Sequence, residues 1–508
     1  MKILRKVFIG FTGLLISLCC LAYFIPSFNE KEKRPIPEDA ELPGNSIPTP
    51  FFTPLHPQYI VDVAKTYKVK AGSPDNTYEL LRMNANFEGF GKGLILFDFR
   101  NCGKGEIRYS DNSWLHGIDS FIVSAQGITF RCTSTSPWDV AKAPFFNGGI
   151  YWPGRRPQAL PATKGLKFKS AEKGAYTITL TEPEKFSAGD RVYMAGYEEQ
   201  FYGEPVNPRF FEWKTVTSIS GNALTFTEPL KWSYNEHWKD VQMQGWGLFG
   251  KPRIFKIPST YPRFAKFVGC SMAKGTNASG PAYFLFKAET LICDSVNIEE
   301  NWPTETKNAL FINCTIGGSD LDKNVGVCEY NNCTTGGIYA ATGVDSLRLI
   351  GNRISNYSPL SPRVLYAERN YFTSKDNNPP LYPHPEGTWV EKVYLKRNVF
   401  KGGYKKDAHV RYDQSVKKFT TLSATATSIE IADADTYVVK SLGPKSVIRS
   451  TDGASAFVTD ITHNGTNYVI QLAGVKGKLR PNQVWTFNRE QMIIDLGGNK
   501  SLDKKSIF

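Results

Sequence analysis

Between residues 320 and 400 the sequence gathers side chains suited to acid–base chemistry and to contact with sugar rings: Asp320, Asp322, Glu329, Asn331, Arg348, Tyr366, Glu368, Tyr394 and Lys396. Two carboxylates such as Glu329 and Glu368 are what glycosidic hydrolysis uses, one as acid and one as base or nucleophile. Arg348 and Lys396 suit neutralisation of a uronate carboxylate, which acidifies the neighbouring C–H for removal by a base. Tyr366 and Tyr394 offer flat, amphipathic rings. Asn331 adds an amide. Asp320 and Asp322 are spaced closely enough to serve hydrolysis or to bind Ca²⁺. No Cys-x-x-Cys pair or His cluster points to another metal.

These residues lie in a repeat. The segments FVGCSM (267–272), LICDSV (291–296), FINCTI (311–316), YNNCTT (330–335), LIGNRI (349–354), AERNYF (367–372) and LKRNVF (395–400) share one pattern. Their marker residues are Cys270, Asp294, Cys314, Cys333, Asn352, Asn370 and Asn398, spaced by 24, 20, 19, 19, 18 and 28. A period near 20 with one β segment per repeat means a solenoid. Three before the marker stand Phe267, Leu291, Phe311, Tyr330, Leu349, Ala367 and Leu395; two after it stand Met272, Val296, Ile316, Thr335, Ile354, Phe372 and Phe400. Both columns are nearly all apolar and point inward. Coils stack about 4.8 Å apart, so equivalent residues form ladders and the Asn markers can share amide hydrogen bonds.

The alternating columns face outward. Four before the marker stand Lys266, Thr290, Leu310, Glu329, Arg348, Tyr366 and Tyr394; two before it stand Val268, Ile292, Ile312, Asn331, Ile350, Glu368 and Lys396. Polar, charged and aromatic groups thus collect on one face of the last four coils. Two readings stand: a glycan site, or cross-coil ion pairs of Glu329 with Arg348 and of Glu368 with Lys396 on a solvated face. On a solvated face, alanine at these positions costs only about 0–1 kcal/mol. Gly317–Asn324, with Asp320 and Asp322, reads as a loop, with Glu299 and Glu300 one coil earlier.

The marker ladder resembles the pectin-lyase-like superfamily of right-handed parallel β-helices, which includes pectate lyases, polygalacturonases and phage tailspikes. The resemblance covers roughly residues 60–160 and 240–415, with Phe97–Cys102 and Ile128–Cys132 as earlier copies of the unit. It implies an all-β solenoid and a partner that is a polysaccharide, with lyase or hydrolase chemistry along a groove. In some lyases of this fold Tyr, Lys or Arg act as acid or base, which places Glu329, Arg348, Tyr366, Glu368 and Lys396 as catalytic candidates and Asn331, Tyr394, Asp320 and Asp322 as substrate contacts. The paired aspartates of polygalacturonases are matched only loosely, because the rest of that motif is absent. Non-catalytic glycan binding or an envelope scaffold is one rival expectation. An adhesin or tailspike-like depolymerase is another.

The rest of the chain gives the setting. Nine cysteines are present, and Cys270, Cys314 and Cys333 fall in the marker column; Cys102 and Cys132 are candidates for it in earlier coils. Stacked residues have parallel Cβ vectors, so free buried thiols are expected rather than disulfides. Residues 165–239 and 420–508 break the repeat and read as two small antiparallel β modules, with hairpin turns at Gly221-Asn222 and Asn464-Gly465. The flanking coils are 58–164 and 240–419. Lys2, Arg5 and Lys6 precede the 19-residue apolar run Val7–Ile25. Residues 1–29 are therefore a signal peptide or a transmembrane signal anchor, and the body faces outward. Residues 30–57 are a Pro-rich linker. The formal net charge of +13 favours an acidic polymer or anionic head groups as partner. Nucleic acid is not expected, since no motif for it is present.

Overall fold

The computed structural model describes residues 56–503 apart from 134–164, 197–209, 274–282, 384–391, 403–416, 433–441 and a number of shorter stretches. The apolar run Val7–Ile25 and the Pro-rich stretch as far as residue 55 lie outside the described residues. Among the described residues no helix is long and apolar enough to cross a membrane.

The apolar columns build two long parallel sheets, one of eleven strands and one of twelve. The first sheet runs in chain order through β1 (Tyr59–Asp62), β2 (Ile95–Asp98), β3 (Ser120–Ser124), β4 (Phe264–Val268), β5 (Thr290–Asp294), β6 (Thr306–Ile312), β7 (Val325–Asn331), β8 (Val344–Ile350), β9 (Val364–Glu368), β10 (Lys392–Lys396) and β11 (Ile493–Asp495). After nearly every one of these strands the chain turns into a strand of the second sheet, for example Arg353–Ser355 after β8 and Tyr371–Ser374 after β9. The protein is therefore the all-β parallel β-helix that the repeat implies.

One left-handed residue per coil makes the bend between the sheets: Gly269, Ser295, Asn313, Asn332, Gly351, Arg369 and Arg397, each directly after its first-sheet strand. The marker residue follows it. In the β5 coil that residue is Val296, so Asp294 is not the marker and the sequence phasing of this coil is two residues out. Ile292, not Thr290, stands between Lys266 and Leu310; Asp294, not Ile292, stands between Val268 and Ile312. Inside, Cys293 replaces Leu291 and Ile298 replaces Val296. A two-residue slip leaves every side chain on its proper face, because strands alternate with period two. Phe97 and Ile128 belong to different sheets, so the two early segments are not copies of one unit.

The core is a stack of inward side chains. Phe267, Cys293, Phe311, Tyr330, Leu349, Ala367 and Leu395 form one buried column. The Phe311 and Tyr330 rings stack at 4.9 Å, and those of Phe372 and Phe400 at 5.2 Å. The expected amide ladder is present: Asn352 Nδ2 donates to Asn370 Oδ1, Asn370 to Asn398 and Asn398 to Asn499, each at 3.0 Å. The seven cysteines beyond residue 100 are all buried free thiols. Burial pushes the Cys270 thiol up to about 12, which leaves it an inert packing group. Cys102 lies in a short 3-10 turn and Cys132 ends a second-sheet strand, so neither joins the ladder. Helix Thr77–Phe87, which the sequence patterns did not reveal, buries Leu80 and Met83 in the core near the N-terminal end of the stack.

Both modules are antiparallel. The first is a six-stranded sheet that takes in Arg253–Lys256, so it extends past residue 239. The second is a closed six-stranded barrel from Lys417 to Phe487. Its chain does not end there: β11 pairs with β10, and Lys500–Ser501 pairs with the second sheet. Residues 493–501 are thus a last coil of the β-helix, and the barrel is an insertion rather than a C-terminal unit 420–508. Tyr193, Phe211 and Trp213 of the first module share one buried apolar cluster with Ile429, Ile470 and Trp485 of the barrel. The modules therefore support each other.

Candidate functional site

Four consecutive strands, β7 to β10, place the candidate residues. Glu329, Arg348, Tyr366 and Tyr394 are direct neighbours along one outward column. Asn331, Ile350, Glu368 and Lys396 form the next. Seven of the sequence-selected residues, Glu329, Asn331, Arg348, Tyr366, Glu368, Tyr394 and Lys396, therefore share one face. Asp320 does not. It ends the second-sheet strand Thr315–Asp320, so the stretch expected as a loop is strand as far as this residue. The glycines there serve close backbone stacking: a Cβ on Gly336 would lie 1.8 Å from the Gly317 carbonyl oxygen. Asp322 lies outside the described residues. Glu300 pairs with Gly318 on the second sheet, away from the Glu329 face. Among the described residues no group of three or more His, Cys, Asp or Glu could hold a metal ion.

On this face Glu329, Arg348 and Glu368 are buried rather than solvated, while Asn331, Tyr366, Tyr394 and Lys396 are half-buried. Arg348 Nη1 lies 3.0 Å from Glu329 Oε2, with side chains 10% and 5% exposed. Asn331 Nδ2 donates to Glu329 Oε1 at 3.3 Å. Burial raises the Glu329 pKa, and the Arg348 charge and the Asn331 hydrogen bond offset that rise only in part. Tyr366 Oη donates to Glu368 Oε2 at 2.6 Å, and Lys396 Nζ stands 3.5 Å from Glu368 Oε1. Burial, then the hydrogen bond to Glu368, pushes the Tyr366 phenol up to about 12. The Tyr366 and Tyr394 rings sit 6.3 Å apart, tilted by 48°.

A wall stands beside this face, and the sequence did not reveal it. Lys231 of the first module forms an ion pair with Asp345, at the start of β8. Arg363 pairs with the same carboxylate at 2.6 Å and lies over the Trp232 ring at 5.5 Å. Burial works against the Asp345 charge, but Lys231 and Arg363 together hold its pKa below the ordinary value. Segment 229–232 of the module is thus clamped onto the helix at Asp345, three residues before Arg348 in β8. The only sequence hint was that residues 165–239 interrupt the coils.

Solved structures to which the chain is similar include three phage tailspikes. The Gp54 tailspike of Acinetobacter baumannii bacteriophage AP22, solved in complex with A. baumannii capsular saccharide, aligns over 84% of this chain and 95% of its own, at 10% identity and a TM-score of 0.31. The gp49 tailspike of Pseudomonas phage LKA1 aligns over 84% and 94%, at 10% identity and a TM-score of 0.30. The gp61 tailspike of Pseudomonas phage phi297 aligns over 85% and 96%, at 10% identity and 0.29. Similarity at this level adds nothing to what the strand pairing establishes. No family model and no curated protein matches the chain.

Proposed function

We propose that the protein engages a polysaccharide along the outer face of β7–β10. The observation that carries this reading is the Tyr366–Tyr394 pair, two rings on adjacent coils of one outward column. Rings at coil spacing offer successive apolar platforms to a chain lying along the solenoid, with hydroxyl and amide groups beside them. The docked first module forms one wall of the track. The basic balance of the chain, +13 formally, favours an acidic polymer. The apolar run Val7–Ile25 after basic residues supports export of the body, either anchored or released.

Hydrolysis is the second reading, and the raised Glu329 pKa favours it. A carboxyl whose proton affinity is raised, two coils from a second carboxyl on the same face, is the arrangement expected of an acid and its partner, here Glu329 and Glu368. Elimination has less support. Lys396 and Arg348 are each paired with a carboxylate, and Tyr366 holds its proton to about 12. Incubation with a panel of uronate and neutral polymers, following both unsaturated-product absorbance and reducing ends, separates the readings. Reducing ends without unsaturated product support hydrolysis. Binding without any product supports recognition alone. Neither binding nor product with any polymer would end the glycan reading.

A further inference from the structure

We propose that Arg369 and Arg397 form a clamp for oxyanion substituents, carboxylate or sulfate, of an acidic polysaccharide lying on this face. The inference rests on the glycan reading above and adds the groups that recognise charge. Arg348 and Lys396, the cations first expected to do so, are already held by Glu329 and Glu368. Arg369 and Arg397 are not so held: among the described residues neither side chain has an ion pair or a hydrogen bond.

Their placement is unusual for arginine. Both occupy the left-handed corner column, at φ 56° and 54°, where a side chain is disfavoured and where Gly, Asn or Ser stands in the other coils from β4 to β8. They directly follow Glu368 and Lys396, so they lie at the edge of the candidate face, on adjacent coils about 4.8 Å apart. Glycine brackets them on both sides. Gly351 precedes Arg369 in the column and has open space where a Cβ would stand; Gly498 follows Arg397 and leaves room for its stem, with Arg397 Cγ 2.9 Å from that Cβ position. No side chain therefore stands next to the pair within the corner column itself. Arg369 Nε and Arg397 Nη1 are shut off from water with no acceptor in reach. Two like charges side by side, each partly desolvated, gain most from an external anion that accepts from both. The local backbone would be easier with glycine, so the side chains are not there for the turn.

The test is affinity gel electrophoresis in polygalacturonate, dextran sulfate and neutral hydroxyethylcellulose. The wild type is expected to be retarded by at least one acidic polymer, and which one assigns carboxylate or sulfate. Arg369→Gln/Arg397→Gln should weaken that retardation tenfold or more and leave any neutral-polymer retardation unchanged. Arg369→Gly/Arg397→Gly should do the same with a thermal midpoint no lower than wild type, which rules out misfolding as the cause. Lys476→Gln/Lys478→Gln, which removes two exposed charges of the barrel, should change little. The clamp is overturned if that lysine pair matters as much, or if both arginine variants bind acidic polymers as the wild type does. In that case loss of binding by Tyr366→Ala/Tyr394→Ala still supports the glycan reading. Retardation of the wild type by no polymer overturns both.

Discussion

Arg348 and Glu329 are joined across adjacent coils at 3.0 Å and are both nearly sealed from water. Removing one member leaves the other charged and buried, which costs about 3–5 kcal/mol. Arg348→Ala should therefore lower the urea midpoint strongly, although the residue faces away from the core. The double change Glu329→Gln/Arg348→Met should recover most of that loss, because no uncompensated charge remains. A double variant as unstable as Arg348→Ala would show that the damage is to packing rather than to the pair.

The raised pKa of Glu329 carries a sign. The folded protein binds this proton more tightly than the unfolded chain, whose carboxyl titrates near 4.5. The contribution to stability is thus full below that value and is lost as pH rises through the folded pKa. Asp345 works in the opposite sense, since its folded pKa is lowered; its contribution is lost as pH falls. Only the difference between wild type and Glu329→Gln isolates the first effect. That difference, from urea melts between about pH 4 and 8, should change in the variant's favour as pH rises. A flat difference would mean that Arg348 fully compensates the burial of Glu329.

Tyr366 should be readable directly. Tyr366→Phe should remove one phenol that titrates at about 12 in an ultraviolet titration, because burial and Glu368 hold its proton. If its ring is a sugar platform, Tyr366→Ala should weaken polysaccharide binding about tenfold, near 1.4 kcal/mol, while Tyr366→Phe keeps most of the affinity. Equal losses in both variants would assign the effect to the hydroxyl and its bond to Glu368, not to the ring.

Asn370 is the middle of the amide ladder. Its Oδ1 accepts from Asn352 N and Nδ2, and its Nδ2 donates to the Leu349 carbonyl and to Asn398. Asn370→Ala leaves several buried groups without partners, each worth about 1–3 kcal/mol. The variant should lose more stability than Asn499→Ala, whose side chain ends the ladder and is only partly buried. Equal losses would mean that the ladder adds no more than its local bonds.

The solenoid is legible in the sequence because it is local and repeated. An apolar column at a period near 20, with Asn352, Asn370 and Asn398 after it, fits a stack of coils and little else. The β5 coil is mis-phased because Cys293-Asp294-Ser295-Val296 lacks the Gly or Asn that marks the left-handed turn in neighbouring coils; Ser295 takes that conformation without announcing it. The outward face is legible for the same reason of period two. Its burial is not. Burial of Glu329 and Arg348 depends on tertiary packing that the period of two does not encode, and the docking contact from Lys231 to Asp345 joins residues 114 apart in sequence. The return of residues 493–501 to the helix is hidden likewise, since the barrel separates Asn398 from Asn499 by 101 residues.

Asp345 should therefore be the latch that holds the first module beside the face. Lys231 comes from the module, Arg363 from the next coil, and both converge on its carboxylate. Hydrogen bonds to charged groups contribute about 1.5–3 kcal/mol each, so Asp345→Ala should lower stability by about that much. More specifically, it should speed amide exchange in residues 229–232 and in β8, while the Asn ladder keeps its protection. Lys231→Ala should reproduce the exchange at 229–232 with a smaller loss of stability, since Arg363 still pairs with Asp345. A double-mutant cycle between Lys231 and Asp345 should give a coupling of about 0.5–3 kcal/mol. A coupling of zero, with unchanged exchange at 229–232, would place the docking of the module in the apolar cluster it shares with the barrel, and the wall beside Arg348 would not depend on this ion pair.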